Sequence, residues 1–231
     1  MRIAYVGPQG RTEVLQGWAS PGVTVETRNS NFNGAIESMY DEYMYIPSMI
    51  ETVIAIEQEG FDAALLGCFG DPALDGAREV VKIPCIGLAE TSLKLVTTLG
   101  DTYGIITATP DLTRMMRRLA EKYGSDKQLV GVGDIGCPIL EIRRDPEAQY
   151  PALVAAGRAM VEEKGADALV LGCGSMSFYA ERLSQDLGVP CINPLRLGLR
   201  MAELMVGTGI SHSKRSYPYP STLRGENVVV K

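Results

Sequence analysis

Apolar residues in this chain fall into short runs set between longer amphipathic stretches. Ile3–Val6, Ala63–Leu66, Gly104–Thr107 and Ala168–Leu171 are too short for helices, and most give way to glycine. Such runs predict strands of a parallel sheet buried on both faces. The stretches before Gly60 and Gly165 carry helical periodicity, with the glycine just past the helix end. Two further strands are predicted at Pro84–Gly87 and Pro190–Asn193. Asp71-Pro72 predicts an N-cap and first helical position, Ser175 or Ser177 offers a cap at the corresponding place, and Thr109-Pro110 opens another helix. A last helix over about Leu195–Val206 returns to the first half, and the polar tail from Ser211 to Lys231 reads as a surface arm.

These elements repeat. The segment Glu57–Cys68, which ends in Ala63-Ala64-Leu65-Leu66-Gly67-Cys68, recurs as Glu162–Cys173, which ends in Ala168-Leu169-Val170-Leu171-Gly172-Cys173. Downstream, Lys82-Ile83-Pro84-Cys85-Ile86 is answered by Gly188-Val189-Pro190-Cys191-Ile192. The order of helix end, strand, glycine-cysteine turn and second strand is the same twice, so the chain contains two homologous halves. Alternating strands and helices give an α/β class with two pseudo-symmetric lobes, each a small parallel sheet flanked by helices, and a cleft between them. The expected boundaries are residues 1–97 with 195–231 for the first lobe and 98–194 for the second.

Composition narrows the function. The 231 residues carry 22 basic and 28 acidic side chains, a net charge of −6 with no basic block, which argues against a nucleic-acid binder. No apolar run is long enough to span a membrane, and the chain enters a strand-like run from Met1, so a cytoplasmic protein is expected. Five cysteines without a CxxC pair resemble neither a disulfide framework nor a zinc site. His212 is the only histidine and lies in the polar tail, which disfavours serine-histidine and cysteine-histidine hydrolysis. Neither a dinucleotide nor a P-loop glycine motif is present.

Cys68 and Cys173 both sit where a parallel strand gives way to a helix, the edge of an α/β sheet at which ligands bind. Two thiols facing each other across a pseudo-twofold cleft suit one reaction class above others. Inversion of a stereocentre needs a base on one face and an acid on the other, exchanging roles with direction. Backbone donors at the two turns would stabilise the enolate. The competing reading, a small buried core residue, stands for Cys85, Cys137 and Cys191, which lie in strand-like apolar runs.

The residues around the two cysteines closely resemble the aspartate/glutamate/hydantoin racemase superfamily, in its hydantoin and allantoin racemase branch. The resemblance rests on Gly67–Leu74, Ala77-Arg78-Glu79 and Ile83–Glu90 in the first half, and on Leu171–Met176 in the second. Ala35–Asp41, Ile135–Glu141 and the tail after Ser213-Lys214 fit as well. It implies a cofactor-independent racemase or epimerase of a small molecule with an acidic Cα–H, foremost a 5-substituted hydantoin or allantoin. Cys68 and Cys173 would be the catalytic pair, and Gln9, Phe69, Gly70, Asp71, Gly174, Ser175 and Met176 would bind substrate. No metal or other cofactor is implied; a homo-oligomer is. The chain departs from the family in Gly7-Pro8-Gln9-Gly10-Arg11, where an asparagine-proline-asparagine stretch usually stands. The alternatives are an amino-acid racemase or maleate-type cis-trans isomerase of the same fold, or a binding protein without turnover.

Overall fold

The computed structural model of the chain describes residues 1–30 and 34–223. The first half runs β1 (Arg2–Val6), α1 (Thr12–Trp18), β2 (Thr24–Arg28), α2 (Met39–Gln58), β3 (Ala63–Leu66), α3 (Leu74–Val80), β4 (Cys85–Gly87) and α4 (Leu88–Val96). The second half runs β5 (Tyr103–Thr107), α5 (Thr113–Tyr123), β6 (Leu129–Asp134), α6 (Ile139–Arg144), α7 (Pro146–Arg158), β7 (Ala168–Leu171), α8 (Ala180–Leu187) and β8 (Cys191–Ile192). A final helix, α9 (Pro194–Gly207), follows. Each half folds into a four-stranded parallel sheet, in the orders β2-β1-β3-β4 and β6-β5-β7-β8. The two orders are the same once the elements are matched, as the repeated sequence requires.

Burial on both faces explains the strand runs. Ile3, Tyr5, Ala63 and Leu65 of the first sheet and Ile105, Ala168 and Val170 of the second point into one shared core. Their neighbours Ala4, Val6, Ala64 and Leu66 face the other way, onto α2 and α3. In the second sheet Ile106, Leu169 and Leu171 face α7 and α8. Removing nearly every side chain of these strands from water supplies the main stabilisation, at about 25 cal/mol per Å² of apolar surface. Helix α9 adds Leu195, Leu199 and Ala202 to the shared core. Gly198 lets it approach β3 closely, because a methyl there would lie 2.7 Å from Leu65 Cδ1. Glu203 ties the same helix to the first half by accepting from the Ser20 amide and hydroxyl, both at 2.8 Å. Among the described residues no helix is long and apolar enough to cross a membrane.

Several local expectations are corrected. Thr24–Arg28 adds an edge strand, β2, that the apolar pattern does not single out, because its burial is only partial. Helix α3 starts at Leu74 with Ala73 at the N-cap, so Asp71 is not its cap and Pro72 is not its first residue. The carboxylate of Asp71 instead caps α4, accepting from the amides of Ala89 at 3.0 Å and Glu90 at 2.7 Å. In the second half the residue at the cap is Cys173, whose sulfur accepts from the Ser175 amide at 3.4 Å. Thr109 occupies an N-cap before a 3-10 turn, Pro110–Leu112, without a side-chain capping bond. Cys137 lies in the loop between β6 and α6 and not in a strand. The tail is bound to the protein surface. Lys214 Nζ donates to the carbonyls of Arg78 and Val81, both at 2.6 Å, and His212 packs against the backbone of Cys85. Burial lowers the His212 pKa to about 4, which keeps the ring neutral. Residues 224–231, the end of the predicted arm, lie outside the described residues.

Candidate active site

The two glycine-cysteine turns are built alike. The amide of Gly67 donates to the Val6 carbonyl at 2.8 Å, and that of Gly172 to the Ile106 carbonyl at 2.7 Å. Three residues beyond each cysteine an amide closes the turn, Asp71 onto Cys68 at 3.2 Å and Met176 onto Cys173 at 3.0 Å. Two residues beyond each cysteine, the amides of Gly70 and Ser175 face the sulfurs. These bonds anchor each thiol to a central strand of its sheet. The two turns also approach one another: a methyl on Gly174 would sit 3.2 Å from the Gly67 carbonyl oxygen. Tyr5 backs the first turn, with its ring lying where a side chain on Gly7 or Gly67 would go.

Between the turns lies a cavity of about 290 Å³. Cys68 and Cys173 both line it, together with Gln9, Phe69, Gly70, Gly174 and Ser175 of the expected binding set. Asp71 and Met176 are not part of its wall. They are repeat-equivalent, and their backbone role in closing the turn directs both side chains inward. Met176 is fully buried in the second lobe's core. Asp71 accepts from the Tyr123 hydroxyl at 2.8 Å in addition to the α4 amides. His212, Cys85, Cys137 and Cys191 are also absent from the wall.

The first turn holds Asp71 at φ 50° and Ala73 at φ 61°. A left-handed alanine costs roughly 1–2 kcal/mol, and the three hydrogen bonds to the Asp71 carboxylate hold the loop in this shape.

Sequence reasoning missed the charged part of the wall. Arg11, from the loop between β1 and α1, and Arg143, from α6, both line the cavity. Arg143 Nε donates to Ser175 Oγ at 3.0 Å, and the Arg11 guanidinium lies 4.4 Å from the centroid of the Phe178 ring. Arg143 has a readable signal, since it follows Ile139 at a spacing of four on one face of a short helix. Ile139 lines the same cavity. A charge that continues an apolar stripe faces inward with it. Tyr5, Tyr45, Asn29 and Ser30 complete the polar lining.

The electrostatics of the two thiols differ. Burial pushes Cys68 up to about 12, with the Gly70 amide opposing and Cys173, Asp71 and Glu42 adding to the rise. Burial also raises Cys173, but the Ser175 amide and hydroxyl, Arg143 and Arg11 all pull it back. Two cations therefore act on Cys173, while two acids behind the wall act on Cys68. Such an arrangement can hold one thiolate and one thiol on opposite sides of a small molecule.

The sequence model of the Asp/Glu/Hydantoin racemase family matches residues 12–202. The chain is 39% identical over 187 residues to hydantoin racemase of Pseudomonas sp. (strain NS671), covering 80% of this chain and 75% of that one. It is 30% identical over 231 residues to hydantoin racemase of Paenarthrobacter aurescens, covering 96% and 98%. Allantoin racemase from Klebsiella pneumoniae superposes with a TM-score of 0.90 at 27% identity, over 96% of this chain and 94% of that one. The chain thus belongs to the Asp/Glu/Hydantoin racemase family of isomerases, and within it to the hydantoin/allantoin racemase branch.

Proposed function

We propose that this racemase interconverts the enantiomers of a 5-substituted hydantoin or of allantoin, with Cys68 and Cys173 as its two acid–base groups and without a cofactor. One observation carries the reading: both thiols line a single cavity from repeat-equivalent turns. Arg143 and Arg11 oppose the rise that burial imposes on Cys173, so Cys173 is assigned as the base and, as its thiolate, takes the C5 proton of one enantiomer. The C5–H electron pair moves into the adjacent ring carbonyl as an enolate. Cys68, held as a thiol chiefly by burial, delivers its proton to the opposite face of C5 and becomes the thiolate. The reverse direction exchanges the roles. A hydantoin suits this route because its enolate is conjugated and less basic than that of an amino acid.

Amides of the residues after each cysteine, Phe69 and Gly174, are the donors assigned to the enolate oxygen, and Gln9, Gly70 and Ser175 contact the ring. Asp71 and Met176 position the turns from behind. The same reading divides the chain into a lobe of residues 1–97 with 195–231 and a lobe of 98–194, supported by the packing of α9 onto the first half. It includes a cytoplasmic homo-oligomer, for which the exposed Tyr40, Tyr43 and Met44 of α2 offer a surface.

The test is incubation of optically pure allantoin and several 5-substituted hydantoins with the protein in D2O, against an enzyme-free control. Loss of optical rotation accompanied by deuteration at C5 is the expected result for the wild type, and the loss of rotation is abolished in Cys68→Ala and in Cys173→Ala. Rotation lost at an unchanged rate in either variant would overturn the two-thiol scheme. Exchange on free aspartate or glutamate, or isomerisation of maleate, but not on any hydantoin would transfer the activity to those substrates.

A further inference from the structure

Two guanidinium groups line the cavity and, among its described lining residues, no carboxylate does. Arg11 enters from the first half and Arg143 from the second, and both are half-buried. Among the described residues neither is paired with an acid. Arg78 shows how the same protein treats a structural arginine. Its guanidinium is bound by the Glu90 carboxylate, the Cys85 carbonyl and the Tyr217 hydroxyl. Among the described residues the Arg11 guanidinium lies against the Phe178 ring and Arg143 bonds the neutral Ser175 hydroxyl.

A guanidinium withdrawn from water without a counter-charge is costly. The pair burdens itself further, because burial and the nearby Arg143 both lower the Arg11 pKa. A thiolate at Cys173 balances one of these charges and leaves the other. No described residue supplies the missing partner, and a bound substrate can. The planar fork of an arginine matches a carboxylate, which it can bind through two parallel hydrogen bonds.

We propose that the 5-substituent of the substrate carries a carboxylate, held by Arg11 and Arg143 on the Cys173 side of the cavity, so that acidic hydantoins are preferred to neutral ones such as allantoin. This inference rests on the hydantoin reading above and specifies its substrate class. Arg143 bonds Ser175 and Arg11 lies against Phe178, both in the segment that follows Cys173, so the carboxylate binds beside the second turn and the ring lies toward Cys68 and the first turn.

The experiment compares kcat/KM for optically pure 5-(carboxymethyl)hydantoin and its neutral isostere, 5-(carbamoylmethyl)hydantoin. The wild type favours the acid by roughly tenfold to a hundredfold, the range for a charge-assisted hydrogen bond. Arg11→Gln and Arg143→Gln each reduce that ratio toward one. The ratio isolates the carboxylate contact, because any effect of the arginines on the thiols applies to both substrates and cancels. Calorimetry on the Cys68→Ala, Cys173→Ala double variant, which cannot turn over, measures the same preference as binding.

Equal or better turnover of the amide, or a ratio that survives in both arginine variants, overturns the carboxylate contact and leaves the racemase intact. Racemisation of neither compound defeats the hydantoin reading for this pair. Calorimetry then still decides the charge preference, and failure of the acid to bind more tightly than the amide overturns it.

Discussion

The turn at Cys68 and the turn at Cys173 share a backbone and differ in charge. Equivalent amides fix both to a central strand, close both turns and face both sulfurs. Yet Asp71 and Glu42 act on the first sulfur, while Arg143 and Arg11 act on the second. Backbone geometry brings both thiols to the wall of one cavity. Side chains from outside the repeat unit, Arg11 on one loop and Arg143 on another helix, pull the second thiol's pKa down against burial and so make the two thiols unequal. In the proposed mechanism this asymmetric charge on a symmetric scaffold distinguishes the thiol that gives up its proton from the one that keeps it, which a single proton transfer across a stereocentre requires. Equal environments would favour two thiols or two thiolates, and neither pair can both remove and return a proton.

The largest expected effect separates the two turns directly. Each single alanine variant, Cys68→Ala and Cys173→Ala, loses racemisation by about 10²–10⁴-fold, the usual worth of a positioned acid or base. Each should retain deuterium exchange at C5 on one enantiomer only, and the two variants should retain opposite enantiomers. Proton NMR in D2O on each pure enantiomer reads this. Exchange of the same enantiomer by both variants would mean that the thiols do not face opposite sides.

A smaller effect tests the charge difference. In Arg143→Gln a cation beside Cys173 is gone, so its thiol loses a proton less readily and its profile moves to higher pH. Rates of iodoacetamide alkylation, followed for each cysteine peptide by mass spectrometry across pH, give both profiles. The wild type should show Cys173 becoming reactive at lower pH than Cys68. Arg143→Gln should narrow that gap, chiefly by moving Cys173, and an unmoved Cys173 profile would remove Arg143 from its control.

What is legible in the sequence follows from what repeats. The four-residue runs, the glycines that end α2 and the helical segment before Gly165, and the Gly-Cys turns are local signals, and duplication states each of them twice. They suffice to read the parallel sheets and the two cysteines. Arg11 and Arg143 have no counterpart in the repeat and come from segments far apart in sequence, so only the tertiary fold brings them together. Strand β2 is hidden for a different reason: an edge strand with one open face lacks the continuous apolar run of its neighbours. Asp71 is visible but points to the wrong helix. Asp before Pro is a strong local capping signal, but the positive φ at Asp71 and Ala73 turns the chain away. The carboxylate then reaches α4, eighteen residues along the chain at Ala89, instead of α3.

Asp71 also supplies an effect that concerns stability alone and leaves the chemistry untouched. Its counterpart in the second turn is the uncharged Met176, so only the first turn carries a buried carboxylate. Burial raises the Asp71 pKa from 3.8 to about 6, against the opposing bonds from the Glu90 amide, the Tyr123 hydroxyl and the Ala89 amide. The folded protein therefore holds this proton more tightly than the unfolded chain does. Its contribution to stability is fully present below the unfolded value and is lost as pH rises through about 6. The rise from 3.8 to about 6 corresponds to a loss on the order of 2–3 kcal/mol across that window. Urea melts between pH 4 and pH 7 should show this decline in the wild type. In Asp71→Asn, which stays neutral, this part of the slope should vanish, although the variant loses one carboxylate acceptor and is less stable at low pH. The Met176 turn has no group that titrates there, so Met176→Leu should keep the wild-type slope. A slope that persists in Asp71→Asn would place the titrating group elsewhere and leave the first turn's strain held by hydrogen bonds whose protonation does not change.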